Sequence, residues 1–281
     1  MSELTTLVDG LAFGEGPRWH EGRLWFSDMH AHVVMSVDVA GDLRTEVEVP
    51  HQPSGLGWTP DGRLLVVSMT DRRLLRLDGS RLVEVADLSP YATWHCNDMV
   101  VDGRGFAYVG NFGYDMYGGA ERTTAAIVLV RPDGNVGVAA DGLDFPNGMV
   151  ITPDGHTLIV GESWGARLTA FTVGTEGTLT DRRVFAALPD CIPDGICLDA
   201  EGAVWLASPL SNEVVRVLPG GAIAARISTG ELSAFACMLG GDARRTLFVC
   251  TAATHDPEKA AAWRSGRIET IEVDVPGAGL P

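Results

Sequence analysis

Short apolar runs separated by glycine-containing turns follow one another along most of the chain. One phrase recurs: a polar residue, often followed by glycine, then an apolar run, a turn and a second apolar run. The phrase repeats at intervals of roughly 40 to 50 residues, the period typical of four-stranded propeller blades. Its first positions are Glu15, Ser54, Asn97, Asn147, Asp194 and, more weakly, Phe235. The pattern predicts an all-β chain folded as a six-bladed β-propeller.

The repeats share a register. Four residues after each first position stands a large apolar residue: Trp19, Trp58, Val101, Ile151, Leu198 and Leu239. Asp-Gly pairs such as Asp61-Gly62 and Asp154-Gly155 supply hairpin turns between the first two strands. We expect one domain over residues 1–281, with a single short helix near residues 256–264. Because a propeller closes without a free edge, the N-terminal ELTTLV should pair with RIETIEVDV near the C-terminal end.

Charge and cysteine content narrow the function classes. The formal net charge of −16 disfavours binding to nucleic acid or to an anionic membrane surface. The sequence has neither a secretory leader pattern nor an apolar run of membrane-spanning length, so we expect a cytoplasmic protein. The five cysteines are odd in number and lack metal-ligand spacing, which indicates buried free thiols.

The first strand of each blade lies nearest the propeller axis, so the residues that open these strands should meet at the end of the tunnel. Glu15, Asn97, Asn147 and Asp194 would bring together two carboxylates and two carboxamides. Buried carboxylates are costly unless a cation or strong donors compensate them. Such an oxygen set suits a hard divalent ion, calcium before magnesium or manganese, whereas zinc normally prefers His or Cys. The alternative is that these side chains cap strands and bond to neighbouring turns.

The segments FGEGPRW, HCNDMVVD, PNGMVITPDG and IPDGICLDAEG resemble the SMP-30/gluconolactonase/luciferin-regenerating enzyme family over essentially the whole chain. The resemblance implies a six-bladed propeller with one central divalent metal ion, calcium or zinc among others, and hydrolysis of a sugar lactone. It further implies that Glu15, Asn147 and Asp194 are metal ligands, with Asp194 also the acid/base residue. Asn97 would contact the metal ion or the substrate.

Two implied substrate-binding positions depart from the pattern of the sugar lactonases. His95 stands where those enzymes carry an arginine, and Asp115 stands where they carry a glutamate. Histidine offers fewer donors to hydroxyl groups than arginine does. With Trp94 and Phe112 nearby, a less hydroxylated lactone or ester becomes an alternative to a sugar lactone.

The resulting hypothesis is a metal-dependent hydrolase that opens a small lactone by attack of a metal-activated water. Asp194 would move the proton, with Asp98 or Asp115 as alternatives because a metal-bound carboxylate is a weak base. Three other functions fit the same ring: a phosphotriesterase-like hydrolase, a calcium-binding protein without turnover, and a protein-binding propeller. His255 is expected to lie in a loop.

Overall fold

The computed structural model describes residues 3–281, and nearly all of its regular structure is antiparallel strand. The chain begins with strand β1 (Thr5–Leu11). The strands of the first three blades are β2 (Gly14–His20), β3 (Arg23–Asp28), β4 (Val33–Val37), β5 (Leu43–Glu48), β6 (Pro53–Trp58), β7 (Leu64–Ser68), β8 (Arg73–Asp78), β9 (Arg81–Asp87), β10 (Cys96–Val101), β11 (Ala107–Asn111), β12 (Ala125–Val130) and β13 (Val136–Leu143). The remaining strands are β14 (Pro146–Ile151), β15 (Thr157–Glu162), β16 (Arg167–Val173), β17 (Leu179–Ala187), β18 (Ile196–Asp199), β19 (Val204–Ser208), β20 (Glu213–Val217), β21 (Ile223–Ser228), β22 (Ser233–Gly240), β23 (Thr246–Ala252), β24 (Gly266–Glu272) and β25 (Gly277–Ala278).

These strands form six sheets. Four consist of consecutive strands, β2 to β5, β6 to β9, β10 to β13 and β14 to β17. The fifth contains β18 to β21, with β25 added beside β18. The sixth joins β22, β23 and β24 to the N-terminal β1, with Thr5 opposite Thr270 and Leu11 opposite Gly266. The predicted closure between the two ends of the chain is confirmed.

The inner strands β2, β6, β10, β14, β18 and β22 form a closed ring in which each contacts the next and β22 contacts β2. The prediction of a six-bladed β-propeller is therefore confirmed. A thin blade cannot bury both of its faces alone, so the hydrophobic core lies between successive blades. For example, the Trp19 ring of the first blade stacks on Phe248 of the sixth at 5.5 Å between ring centroids.

One helix interrupts the sixth blade. Helix α1 (Pro257–Trp263) begins at Asp256, whose side chain accepts a hydrogen bond from Lys259 N at 3.0 Å, and it has proline in its first turn. The helix that the sequence predicts is thus present. It contacts the short 3-10 turn Met29–Ala31 of the first blade, and the segment before it carries His255.

The C-terminal segment crosses the other end of the tunnel. There β25 pairs with the end of β18, and Leu280 and Ile151 exchange backbone hydrogen bonds of 2.7 and 2.9 Å. This segment ties the fourth and fifth blades together, which the sequence did not indicate. All five cysteines are buried free thiols, as expected. Within the described part of the chain, no helix is long and apolar enough to span a bilayer.

Candidate active site

A β-bulge follows the opening residue of most inner strands. The pairing with the second strand shifts between Glu15 and Arg18 in the first blade, between Cys96 and Met99 in the third, and between Pro146 and Met149 in the fourth. A bulge bends the strand and re-aims the side chain beside it. The repeated bulge therefore gives equivalent residues of different blades the same direction, toward one end of the tunnel.

The glycine after the polar residue allows the inner strands to approach closely. A Cβ added to Gly148 would lie 2.5 Å from Ile196 N, and one added to Gly195 would lie 2.5 Å from Ala236 Cβ. The two glycine N–H groups also bond to the next blade, to Asp194 O at 3.2 Å and to Phe235 O at 2.8 Å. Any side chain here would push the blades apart. The recurring polar-glycine phrase is thus the local requirement for bringing the polar residues together.

Glu15, Asn97, Asn147 and Asp194 line one cavity of about 140 Å³. The strands β2, β10 and β14 supply the first three, and Asp194 lies just before β18. Larger grooves of about 600 and 950 Å³ lie elsewhere, and neither contains any of these four residues. The structure therefore brings together the four residues that the sequence analysis placed at the axis.

The surroundings disfavour the charged forms of both axial carboxylates, Glu15 and Asp194. Burial, opposed by a hydrogen bond from Asn147 and reinforced by the charge of Asp98, raises the pKa of Asp194 to about 8. Burial and the charge of Asp194 raise the pKa of Glu15 well above its ordinary value, although Gly16 N donates to its Oε2 at 2.9 Å. Among the described residues, no lysine or arginine lines the cavity. A cation in this cavity would relieve both penalties.

The orientation of the Asn147 amide follows from its hydrogen-bond chain. Ser163 Oγ donates its only proton to Pro193 O at 2.8 Å, so at 3.2 Å it accepts from Asn147 Nδ2. The amide nitrogen is thus turned toward Ser163, and the Oδ1 atom remains available. Asn97 is only 8% exposed, and its side chain forms no hydrogen bond with another residue of 3–281. Both carboxamides are therefore free to offer oxygen to a ligand in the cavity.

Within residues 3–281, no three His, Cys, Asp or Glu side chains are grouped so that they could hold a metal ion. The cavity has two carboxylates, so an oxygen-ligand set there depends on the two carboxamides as well. Carbonyl oxygens of this kind are ordinary ligands of calcium. The donor set fits a hard divalent ion, and the part of the cavity wall formed by residues 3–281 has no cysteine thiolate or paired imidazole for a zinc site.

Asp98, one of the alternative proton carriers, is engaged elsewhere. Its Oδ1 accepts hydrogen bonds from Arg18 Nη2 at 2.5 Å and from Met99 N at 2.8 Å. Arg18 is 2% exposed, and its other donors are bound by backbone oxygens, including Leu56 O at 3.0 Å. The pair joins the inner strands of three blades, and Asp98 does not line the cavity.

His95 and Asp115 lie beside the cavity but not in its wall. The His95 ring stacks on Trp94 at 5.0 Å between centroids, and burial lowers the pKa of the imidazole while the nearby Asp115 raises it. The Asp115 Oδ1 accepts a hydrogen bond of 2.7 Å from Gly118 N, within its own turn. The structure places these two residues near one another, apart from the four axial side chains.

The sequence analysis missed most of the cavity wall. Phe13, Phe145 and Ile192 line the cavity, and each stands two positions before an axial residue. The repeat could have revealed them at that phase. A second group follows the ends of second strands, and His255 precedes α1 at the rim. This second group comprises Met29, Trp164 and Pro209, together with Phe112, which the sequence analysis had already placed near the substrate.

The family model described as SMP-30/Gluconolactonase/LRE-like region matches residues 13–253. Regucalcin of Homo sapiens is 29% identical over 263 residues, which cover 90% of this chain and 87% of the relative. L-arabinolactonase of Azospirillum brasilense is 25% identical over 252 residues, with 85% and 80% covered. The crystal structure of a regucalcin from Agrobacterium tumefaciens, described as a calcium-binding protein, superposes with a TM-score of 0.82. It is 23% identical and covers 100% of this chain and 96% of that one.

Proposed function

This chain belongs to the SMP-30/gluconolactonase/LRE-like family, and from that premise we propose that it hydrolyses a small lactone or ester with the help of one divalent metal ion. The observation that carries the proposal is the convergence of Glu15, Asn97, Asn147 and Asp194 on one cavity, to whose wall the described chain contributes no lysine or arginine. A relative of similar length is an L-arabinolactonase.

The residues present fit a metal ion. Two carboxylates with raised pKa values face the cavity, and the amide oxygen of Asn147 is held free by the chain through Ser163. Glu15, Asn147 and Asp194 would hold the ion, with Asn97 either a fourth ligand or a contact to the substrate. Calcium is the ion we propose, because all donors are oxygen and the set carries two negative charges. Zinc, manganese and magnesium are alternatives for the test.

When bound, a divalent ion polarises a carbonyl oxygen and makes a neighbouring water more acidic. Asp194 is the proposed proton carrier. Its carboxylate accepts a proton as the water oxygen bonds to the lactone carbonyl carbon, and it returns that proton to the ring oxygen as the acyl–oxygen bond breaks. The product is the open-chain hydroxy acid.

Asn97 is the proposed contact to the polar part of the substrate, since its amide is buried and free of bonds to other residues of 3–281. His95 and Asp115 lie outside the cavity wall. We propose that they touch only the part of a substrate that extends beyond the cavity.

We further propose that residues 1–281 act as one domain. The five free thiols fit a cytoplasmic location.

A second candidate is a calcium-binding protein without turnover. It is favoured by the likeness to regucalcins, one of which is described as calcium-binding. The same oxygen ligands would serve both functions, so only turnover separates them.

Elemental analysis of the purified protein, combined with a pH-indicator screen over lactones and esters, tests the proposal. We expect acid release that stops after chelation and returns with calcium or another hard divalent ion. Calcium binding without hydrolysis of any lactone or ester would favour the second candidate. Full activity in protein shown to be free of metal would contradict the proposed role of the axial residues.

A further inference from the structure

The wall of the axial cavity is apolar, apart from the four axial residues, Ser163, and the Tyr117 hydroxyl and His255 at the rim. We propose that the substrate is a lactone with an apolar side chain and few hydroxyl groups, rather than a sugar lactone. This inference rests on the proposed hydrolysis and concerns which lactone the same site accepts. The apolar and aromatic residues of the wall are Phe13, Met29, Phe112, Met116, Tyr117, Phe145, Trp164, Ile192, Pro209, Leu210 and Phe235.

The aromatic rings form a continuous surface rather than isolated contacts. Phe13 lies edge-on to Phe235 at 4.7 Å between centroids. Phe112 stacks on Phe145 at 4.8 Å, and Phe145 in turn meets Trp164 at 5.7 Å. Such surfaces are stabilised by covering them with apolar groups. Phe145 also has a φ of 61°, an uncommon conformation for an aromatic residue that is typically kept at functional sites.

Several polar groups near the cavity are already engaged, which leaves the Asn97 amide, Trp164 Nε1 and the rim groups for substrate hydroxyls. Ser163 Oγ already donates to Pro193 O and accepts from Asn147. Asp115 is bound to Gly118 N, and His95 is stacked behind the wall. A substrate with several hydroxyl groups would outnumber these partners, and each buried hydroxyl left without one would weaken binding.

The size of the cavity and the exposure of its rim residues indicate which part of such a substrate lies in the cavity and which part lies on the rim. A cavity of about 140 Å³ corresponds to the volume of roughly five water molecules in the liquid, enough for a lactone ring. At the rim, Leu210 is 76% exposed and Tyr117 is 44% exposed. His255, whose backbone oxygen lies 3.5 Å from the Tyr117 hydroxyl, adds a polar group there. The ring would occupy the cavity, and an alkyl substituent would lie on the apolar rim.

A series of lactones with alkyl substituents of increasing length tests this placement of the ring and the substituent. We would measure kcat/KM for δ-lactones that share one ring and carry unbranched alkyl substituents from methyl to hexyl, using the metal-loaded protein. Because the reacting ring is the same throughout, differences report contacts of the substituent. We expect kcat/KM to rise by about three- to fourfold for each methylene that becomes fully buried, then to level off. D-glucono-δ-lactone should be a poorer substrate after its rate is divided by its spontaneous hydrolysis.

Two matched leucine variants locate the contact. Leu210→Ser removes an exposed apolar side chain at the rim, and we expect it to flatten the dependence of kcat/KM on chain length. Leu43→Ser changes a leucine of β5 that is 38% exposed and does not line the cavity. It should keep the wild-type dependence.

The possible outcomes separate the two proposals. A flat series together with preference for gluconolactone would overturn the apolar-substrate inference while leaving the lactonase proposal intact. Failure to hydrolyse any lactone or ester would overturn both. A Leu210→Ser variant with the full wild-type dependence would overturn the assignment of the substituent to this rim.

Discussion

The substitution Asp194→Asn removes one negative charge from the axial cavity and leaves the size of the side chain nearly unchanged. In the proposed mechanism, this residue is both a metal ligand and the proton carrier. We therefore expect kcat/KM for lactone hydrolysis to fall by at least about 100-fold. Calcium affinity, measured by titration calorimetry on chelated protein, should fall as well.

The free energy of unfolding of the metal-free protein gives an independent test of Asp194, and its expected change follows from the pKa of this residue. The pKa of Asp194 rises from the ordinary 3.8 to about 8 in the folded state. The folded protein then holds a proton that the unfolded chain releases, so stability falls as the pH rises from about 4 to about 8. At pH 7, the full linkage cost is on the order of 4 kcal/mol, and we expect about 2 to 4 because the carboxylate faces a cavity that water can enter. The Asp194→Asn variant would not bear this cost, since its amide does not ionise.

Urea denaturation in the presence of a chelator measures this difference. Asp194→Asn should be more stable than wild type at pH 7 and nearly equal to it at pH 4, although it is inactive. A variant that keeps wild-type kcat/KM, or that is less stable than metal-free wild type at pH 7, would refute the reasoning.

The control is Asp154→Asn in the exposed hairpin of the fourth blade. The Asp154 carboxylate accepts from Thr152 Oγ1 and His156 N, bonds that an asparagine oxygen can keep. We expect changes within about 0.5 kcal/mol and unchanged activity. Asp199 is unsuitable as a control, although the sequence places it in a similar turn. It is 1% exposed, and it accepts a 2.7 Å hydrogen bond from Arg216 Nε.

Three further predictions concern residues around the site. Glu162 is fully buried, and although burial raises its pKa, hydrogen bonds, chiefly from Arg167, lower that pKa from 4.5 to about 2. Glu162→Gln should cost about 2 to 3 kcal/mol in urea denaturation at pH 7 and progressively less as the pH falls from 4.5 toward 2, and equal losses at both ends of that range would contradict this. Arg18→Met leaves Asp98 buried without its partner and should destabilise the fold by about 3 to 5 kcal/mol, so a change below about 1 kcal/mol would show that the pair does not brace the inner strands. His95→Arg should shift the ratio of kcat/KM toward gluconolactone, because arginine adds donors at the outer mouth. The exposed His156→Arg should leave that ratio unchanged, and equal ratios for both variants would remove His95 from the substrate contacts.

The number of blades and the axial residues were predictable from the sequence because the information is local and repeats. Four blades open with a polar residue followed by glycine, and Gly148 and Gly195 show why: the neighbouring strand leaves no room for a Cβ. A residue type that sterics require in these blades appears at the same phase in each of them. The positions of Glu15 and Asp194 could therefore be predicted by counting along the repeats.

Contacts between blades determine which residues line the cavity and whether each polar side chain is free or already bonded. Asp98 follows an axial residue just as the glycines do, yet it pairs with Arg18 from 80 residues earlier and is removed from the cavity. His95 has the repeat phase of Phe13 and Phe145, but it is stacked on Trp94 outside the wall. His255 reaches the rim because α1 packs against a turn of the first blade. Local sequence pattern sets the direction of each strand, whereas these outcomes depend on which side chains of distant segments meet after the ring has closed, and only the tertiary structure determines that.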